Sequence, residues 1–371
     1  MDISANPSNR SRAAISVDPA LGIGDVMNLL AKSLAHQGPA LNFSSHDIDS
    51  VSEEIALIIE TTGSTGGKKL VALSAQALLA SAKASLEYVG ARPGQTWALL
   101  LPIHHIAGVN VLIRGLELGT IPIDLRDVSQ YPVADFSAVV PTHIYRALNG
   151  DAELLTHLKK AKKVLVGGAK LTDELFRQAS DAGISIIQTY GMSETAGGCV
   201  YDGKPIGNTH VRISSDQMIE ISGSVLASGY LNDPDLWNRQ CKEGWFTTSD
   251  TGSIDGTGFL TIAGRSDDLY ITGGEKVSLN EVNDLLALHF PSNQWSALAV
   301  DDQQWGQRLV IAGAGQDLPS SQDVAALLEG KLGEFAKPKQ YLTFDQLPLI
   351  GIGKIDRMAI IARAKDEFSG N

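Results

Sequence analysis

Thr61-Thr-Gly-Ser-Thr-Gly-Gly-Lys-Lys69 follows the strand-like run Glu54-Ile-Ala-Leu-Ile-Ile59 and precedes a helical pattern from Ser74 to Val89, with Ser74 as N-cap and Gly90 past its end. Glycines let a backbone approach phosphate oxygens closely. The hydroxyls and amides of Thr61, Thr62, Gly63, Ser64, Thr65 and Gly66 can donate to such oxygens, and Lys68 adds charge. A phosphate loop between a strand and a helix is the direct reading, and a polar surface loop is the plain alternative.

The P-loop spacing fails here, because Thr62 stands where it needs Gly and Lys69 where it needs Ser or Thr. Outward from the loop, strand-like and helical patterns alternate. A strand is expected over Thr96 to Leu101, and helix Ile106 to Leu118 comes before Ile121 to Ile123. Helix Ala152 to Lys160 comes before Val164 to Val166, and helix Asp173 to Ala182 before Ile184 to Ile187. That rhythm predicts α/β sheets in a large N-terminal domain, residues 1–264. Short strands separated by Ser, Gly and Asp predict a β-rich subdomain at about 205–264. A small α+β C-terminal domain is expected over 265–371, with helices near Ser278 to His289 and Ser321 to Leu332 around strands Ser296 to Val300 and Arg308 to Ala312.

Composition narrows the function classes. The 371 residues, 43% of them hydrophobic, suffice for more than one core, and a formal charge of -12 offers no footprint for a nucleic-acid backbone. Two cysteines are too few for a disulfide framework, which points to a reducing cytoplasm. Met1 to Ala14 holds no apolar signal region, and the longest apolar stretch, Trp97 to Ile113, is interrupted by Pro102, His104 and His105. Membrane insertion is therefore not expected. The sequence leaves the oligomeric state open between monomer and homodimer.

Further segments share the order seen in one family. They are Gly167-Gly-Ala169, Tyr190-Gly-Met-Ser-Glu-Thr195, Trp245-Phe-Thr-Thr-Ser-Asp250, Gly264-Arg-Ser-Asp-Asp268 running on to Gly273-Gly-Glu-Lys276, and Leu347 to Arg357 around Lys354. Together with the loop at 61–69 they resemble the adenylate-forming superfamily of acyl-CoA synthetases, luciferases and peptide-synthetase adenylation domains. Singly, each has a bland reading: a strand-to-helix turn, a charge at a helix start, a solvated lysine.

The resemblance implies ATP, Mg²⁺ and coenzyme A as cofactor and cosubstrates, a small-molecule carboxylic acid as substrate, and a mobile C-terminal domain. It implies that Glu194 holds Mg²⁺, that Thr195 and Lys68 contact phosphates, and that Lys354 bridges the attacking carboxylate and the α-phosphate. Gly168, Ala169, Tyr190 and Gly191 would border the adenine, while Asp250 would serve the ribose and Arg265 the ribose or the phosphates. Ser249 replaces the glycine usual before that aspartate. Asp267 would be the hinge residue within 265–268, and Gly273 and Gly274 would face coenzyme A. The loop lies early in the chain, which implies an abbreviated N-terminal subdomain.

Leu101-Pro-Ile-His-His-Ile-Ala-Gly108 and Tyr190 to Gly203, with the short length, are similar to the short actinobacterial-type o-succinylbenzoate-CoA ligases of menaquinone biosynthesis. That similarity implies an acid site lined by His105, Arg114, Gly191 and Ser193, in which Arg114 binds the aromatic carboxylate. An exposed helix arginine is the competing reading of Arg114. Other acyl- or aryl-CoA ligases, carrier-loading adenylation domains and a nucleotide-binding regulatory relative remain alternatives.

Overall fold

The computed structural model describes residues 10–62, 68–126, 128, 130–272, 275–302, 306–350 and 354–369; the side chains of Thr62, Asp267 and Lys354 are among those outside the description. Gly63, Ser64, Thr65, Gly66, Gly273 and Gly274 also lie outside the described residues.

The chain runs through β1 (Ser11–Ser16), α1 (Ile23–Leu34), β2 (Ala40–Asn42), β3 (Ser50–Ser52), β4 (Ile55–Thr62), β5 (Lys68–Ser74) and α2 (Ala75–Val89). Next come β6 (Trp97–Leu99), α3 (Ile106–Leu118), β7 (Ile123–Asp124), β8 (Phe136–Val139), α4 (Pro141–Leu148), α5 (Ala152–Lys160) and β9 (Lys163–Val166). They are followed by α6 (Asp173–Asp181), β10 (Ile186–Met192), β11 (Gly197–Tyr201), β12 (Lys204–Pro205), β13 (His210–Ile213) and β14 (Met218–Ser222). Then follow β15 (Gly229–Tyr230), α7 (Pro234–Gln240), β16 (Cys241–Lys242), β17 (Trp245–Ile254) and β18 (Leu260–Arg265).

Contacts divide the chain into two compact units. The first holds residues up to Leu171, Arg177–Thr248 and Ser253–Thr261, and the second holds Thr172–Phe176, Ser249–Gly252 and Ile262 onward. The boundary expected at Arg265 to Asp268 falls just inside the second unit.

In the first unit, one sheet has the order β15-β5-β4-β2-β1-β3 and a second the order β12-β11-β10-β9-β8-β6-β7. From β7 to β10 the second sheet is parallel, and β11 and β12 continue it antiparallel. The chain passes from β6 to β7 on one side and returns to β8 on the other. The order therefore reverses at β6, the place where open α/β sheets bind ligands at the carboxyl ends of their strands. The segments after β6 and β9 carry His104 and His105, and Gly167 to Ala169, while Tyr190 to Met192 form the end of β10 and Ser193 to Thr195 the turn that follows it.

Helix formation follows local chemistry. Ser74 accepts from the Ala77 amide at 3.1 Å, and Gly90 closes α2 in the left-handed region with φ 66°. Helix α3 buries nearly all of its surface, including Asn110 and Arg114. A helix that apolar all round belongs inside the fold.

One expectation needs correction. The glycine loop does not lead into a helix: Lys68–Ser74 is itself a strand, antiparallel to β4 with Thr61 opposite Lys69, so the loop is a hairpin connection. Leu70 to Leu73 are buried in succession, and an uninterrupted short apolar run carries no periodicity to identify it. The β-rich subdomain forms a sheet in the order β13-β14-β17-β16 with β18 beside β17, but β15 leaves it to pair with β5.

The second unit contains β19 (Leu269–Thr272), β20 (Glu275–Ser278), α8 (Leu279–His289), β21 (Gln294–Asp302), β22 (Gly306–Ala314) and α9 (Ser321–Leu332). It ends with β23 (Gln340–Phe344), β24 (Leu349–Ile350), β25 (Lys354–Ile355) and α10 (Arg357–Ser369). Its sheet has the order β20-β19-β22-β21 with β23 beside β22; Tyr270, Val282, Leu286, Ile311, Val324 and Leu328 fill one face, and Leu298, Val310, Leu342 and Ile360 the other.

Candidate functional site

In the first unit the site is built around the tight turn from β10 into β11. Gly191 is forced by packing, because a β-carbon there would stand 2.1 Å from the Gly197 carbonyl oxygen. Gly197 adopts φ +100°, and a β-carbon on it would meet the Asn110 amide at 2.2 Å. Between them Ser193, Glu194 and Thr195 form one 3₁₀ turn and are buried.

The Thr195 hydroxyl accepts from the Met192 amide at 2.9 Å and lies 2.8 Å from the Gly197 carbonyl, to which it can donate. Thr195 is fully buried, so in this arrangement its hydroxyl shapes the turn. Asn110 of α3 donates to the Ala196 carbonyl at 2.9 Å and locks the turn to that helix.

Glu194 is 8% exposed, and its Oε1 accepts from the Tyr230 hydroxyl at 2.7 Å. Among the described residues no group of three or more His, Cys, Asp or Glu could hold a metal ion. The Glu194 carboxylate is a hard oxygen donor of the type that Mg²⁺ takes, so it is the group that could contribute one ligand to such an ion.

One turn beyond Asn110, Arg114 is 4% exposed and lies over the Trp97 ring with 4.8 Å between its Cζ and the ring centroid. Its Nη2 donates to the Tyr201 hydroxyl at 3.4 Å, Tyr201 in turn donates to Ser85 at 2.9 Å, and the Arg114 Nε is buried with no partner among the described residues. Burial pushes the guanidinium below its usual range, partly offset by Tyr201. Its burial rules out the reading as an exposed helix arginine, and it has no carboxylate partner among the described residues. His105 occupies the N-cap position of the same helix, its ring tilted by 49° against that of His104 with 4.4 Å between ring centroids. Cys199 is buried, which pushes its thiol up to about 12, so it is an inert packing residue.

Lys68 is placed at the base of the hairpin. Its amine pairs with Glu60 at 2.7 Å and donates to Ser45 at 3.2 Å. Burial would raise the Glu60 carboxyl, but hydrogen bonds from Lys68 and Ser45 outweigh it and hold the group at about 2. The Gly168 backbone has φ +80° at the turn after β9, Ala169 follows it, and Tyr190 packs beside Cys199, Val200 and Ile221.

In the second unit Asp250 and Arg265 come together, with 3.7 Å between Oδ1 and Nη1, on neighbouring strands that Thr251 also ties through the Gly264 carbonyl at 3.1 Å. Asp267 sits in the 3₁₀ turn Ser266–Asp268, whose Asp268 pairs with Arg357. Lys354 opens β25, opposite Ile350.

Sequence reasoning missed Asn110, Tyr201 and Tyr230. An Asn inside the apolar run Val109 to Ile113 was a usable signal for Asn110, since a buried amide needs a partner. The two-residue strand that carries Tyr230 offered none.

The sequence pattern of the AMP-binding enzyme family matches residues 12–226. The chain is 34% identical over 339 residues to the probable 2-succinylbenzoate–CoA ligase of Mycobacterium tuberculosis, covering 86% of this chain and 87% of that one. It is 27% identical over 368 residues to the 2-succinylbenzoate–CoA ligase of Staphylococcus epidermidis, covering 91% and 77%. The Bacillus subtilis o-succinylbenzoate CoA synthetase (MenE), solved with its acyl-adenylate intermediate, shares the fold with a TM-score of 0.72 at 20% identity, over 94% of this chain and 82% of that one. No helix among the described residues is long and apolar enough to cross a membrane. The family match and the mycobacterial relative together establish that the chain belongs to the AMP-binding enzyme family.

Proposed function

We propose that the chain uses ATP to activate o-succinylbenzoate as an acyl-adenylate and transfers the acyl group to coenzyme A, the 2-succinylbenzoate–CoA ligase reaction of menaquinone biosynthesis. The observation that carries the substrate choice is Arg114, a fully interior guanidinium that no described carboxylate neutralises. Burying an ion without a partner costs several kcal/mol, roughly, and a bidentate carboxylate on the ligand offsets that cost. The relatives named as 2-succinylbenzoate–CoA ligases support the same choice.

In this reading Thr61, Thr62, Gly63, Ser64, Thr65, Gly66 and Lys68 steady the departing pyrophosphate. Lys68 would exchange Glu60 for phosphate oxygens. Gly168, Ala169, Tyr190 and Gly191 flank the adenine, and Asp250 with Arg265 holds the ribose hydroxyls. Glu194 would hold Mg²⁺, which supplies charge neutralisation at the phosphates. His105, Ser193 and Arg114 orient the acid so that its succinyl carboxylate attacks the α-phosphate in line, with Lys354 stabilising the charge that develops. Asp267 would absorb the backbone change that exchanges Lys354 for the Gly273 and Gly274 loop before thiol attack.

Acid-dependent ATP–pyrophosphate exchange, run over a panel of aryl, alkyl and amino acids, tests this. Exchange is expected to be strongest with o-succinylbenzoate, and product release to require free coenzyme A. A preference for an α-amino acid, or release only to a carrier protein, would overturn the assignment.

A further inference from the structure

The segment Ala227–Asn232 grips two parts of the first unit at once. Its Ala227 amide donates to the Glu194 carbonyl at 2.8 Å, and its Tyr230 hydroxyl reaches the Glu194 carboxylate at 2.7 Å. At its other end Asn232 accepts from the Leu70 amide at 2.8 Å and donates to the Lys68 carbonyl at 2.7 Å. Gly229 and Tyr230 pair with Ala72 and Val71 of β5, the outgoing arm of the glycine hairpin. One short segment therefore fixes both the acidic turn and the arm that leaves the phosphate loop.

Tyr230 itself has little freedom. It is 2% exposed, lies edge-on to Trp237 with 5.3 Å between centroids, and carries the Lys69 amine 4.8 Å from its ring centre. The Lys69 amine also lies 3.5 Å from the hydroxyl oxygen, and the Gln240 amide lies 3.1 Å from it. A phenol has one proton to give. The carboxylate is the strongest acceptor present, so that proton goes to Glu194; Gln240 presents its Oε1 to the phenol oxygen, and a flip of its amide would offer a nitrogen donor instead.

We infer that Tyr230 is a positioning residue for the cation: it holds Oε1 of Glu194 so that Oε2, which receives no hydrogen bond among the described residues, is presented to Mg²⁺. The inference rests on the proposed role of Glu194 as the cation's carboxylate. Outer partners of this kind fix the rotamer of a ligating carboxylate, and their loss typically weakens metal affinity by about 10- to 100-fold.

The test is calorimetric binding of the non-reacting nucleotide α,β-methylene-ATP to the full chain, with and without Mg²⁺, for the parent, Tyr230→Phe and Glu194→Gln. Phenylalanine keeps the ring against Trp237 and Lys69 and removes only the hydroxyl. For Tyr230→Phe, half-saturating Mg²⁺ should rise about tenfold or more while metal-free nucleotide affinity stays within about twofold. For Glu194→Gln, the Mg²⁺-dependent gain should vanish. If Glu194→Gln loses that gain and Tyr230→Phe does not shift it, the inference is wrong and the role of Glu194 stands. If Glu194→Gln keeps it, the role of Glu194 fails and the inference with it. An equal loss with and without Mg²⁺ in Tyr230→Phe makes Tyr230 merely structural and overturns the proposal. Should Tyr230→Phe not fold, Gln240→Leu frees the phenol on its other side; a smaller shift in the same Mg²⁺ dependence is expected, and no shift overturns the proposal.

Discussion

Arg114 keeps a charge inside the first unit against Trp97 and Tyr201, where a hydrocarbon would pack more cheaply. Stability and function should therefore separate at this position. Arg114→Leu is expected to raise unfolding stability by about 1–4 kcal/mol, because replacing a buried ion by an apolar residue of similar volume removes its desolvation cost. The same change should lower kcat/KM for o-succinylbenzoate by roughly 10²-fold or more and leave a benzoate-type monoacid nearly unaffected. Thermal melting and steady-state kinetics on the two acids check both halves. Loss of stability together with equal loss on both acids would assign Arg114 to the scaffold. At the neighbouring turn, Gly191→Ala places a methyl 2.1 Å from a backbone oxygen, which cannot yield as a side-chain tip would. Its expected result is a drop in melting temperature with loss of activity toward every acid.

Helix α3 and the β10–β11 turn are joined through Asn110, so the face proposed to bind the acid and the acidic turn should move as one piece. Asn110→Ala leaves the buried Ala196 carbonyl without its donor and is expected to cost about 1–3 kcal/mol. Denaturant unfolding measures it. Helix α5 packs through His157, whose Nδ1 lies 2.8 Å from the Pro132 carbonyl and whose Nε2 lies 2.8 Å from the Ser137 hydroxyl. A carbonyl can only accept, so Nδ1 carries a proton, and because burial disfavours the charged ring Nε2 is left to accept from Ser137. Burial lowers the affinity of His157 for a second proton, and burial with Arg146 holds His143 down at about 4. In the unfolded chain both bind protons at the ordinary histidine value, so their contribution is complete above that value and is lost as pH falls toward the folded values. Melting temperature should decline from about pH 6.5 downward, and His157→Gln should flatten part of that decline.

At this scale capped and periodic elements were legible: α2, α3, α5, α9 and the strands around them lie where Ser74, Gly90 and the 3.6-residue repeats put them. Strand β5 was not, because its apolar run lacks alternation. The two-residue β15 was not, because it is defined only by its partner across the sheet.

Across the whole molecule the loops named from sequence come from distant points of the chain, and topology explains why three of them share one sheet edge: each follows a strand of the second sheet, at its carboxyl end. Chemical type was legible residue by residue, since Glu194 and Arg114 in the first unit and Asp250 in the second are groups whose burial demands a partner. The partners were not, because Tyr230 and Tyr201 meet them through tertiary packing that no local pattern encodes.

The two halves of the proposed reaction should also separate. Lys354→Ala is expected to abolish adenylate formation and to spare thioester formation from supplied acyl-adenylate; equal loss of both halves would refute that division. The most direct measurement is the nucleotide product released when the chain is given ATP, o-succinylbenzoate and coenzyme A. The account predicts AMP and pyrophosphate in equal amounts with the coenzyme A thioester. ADP and phosphate, or AMP formed at the same rate without the acid, would contradict it.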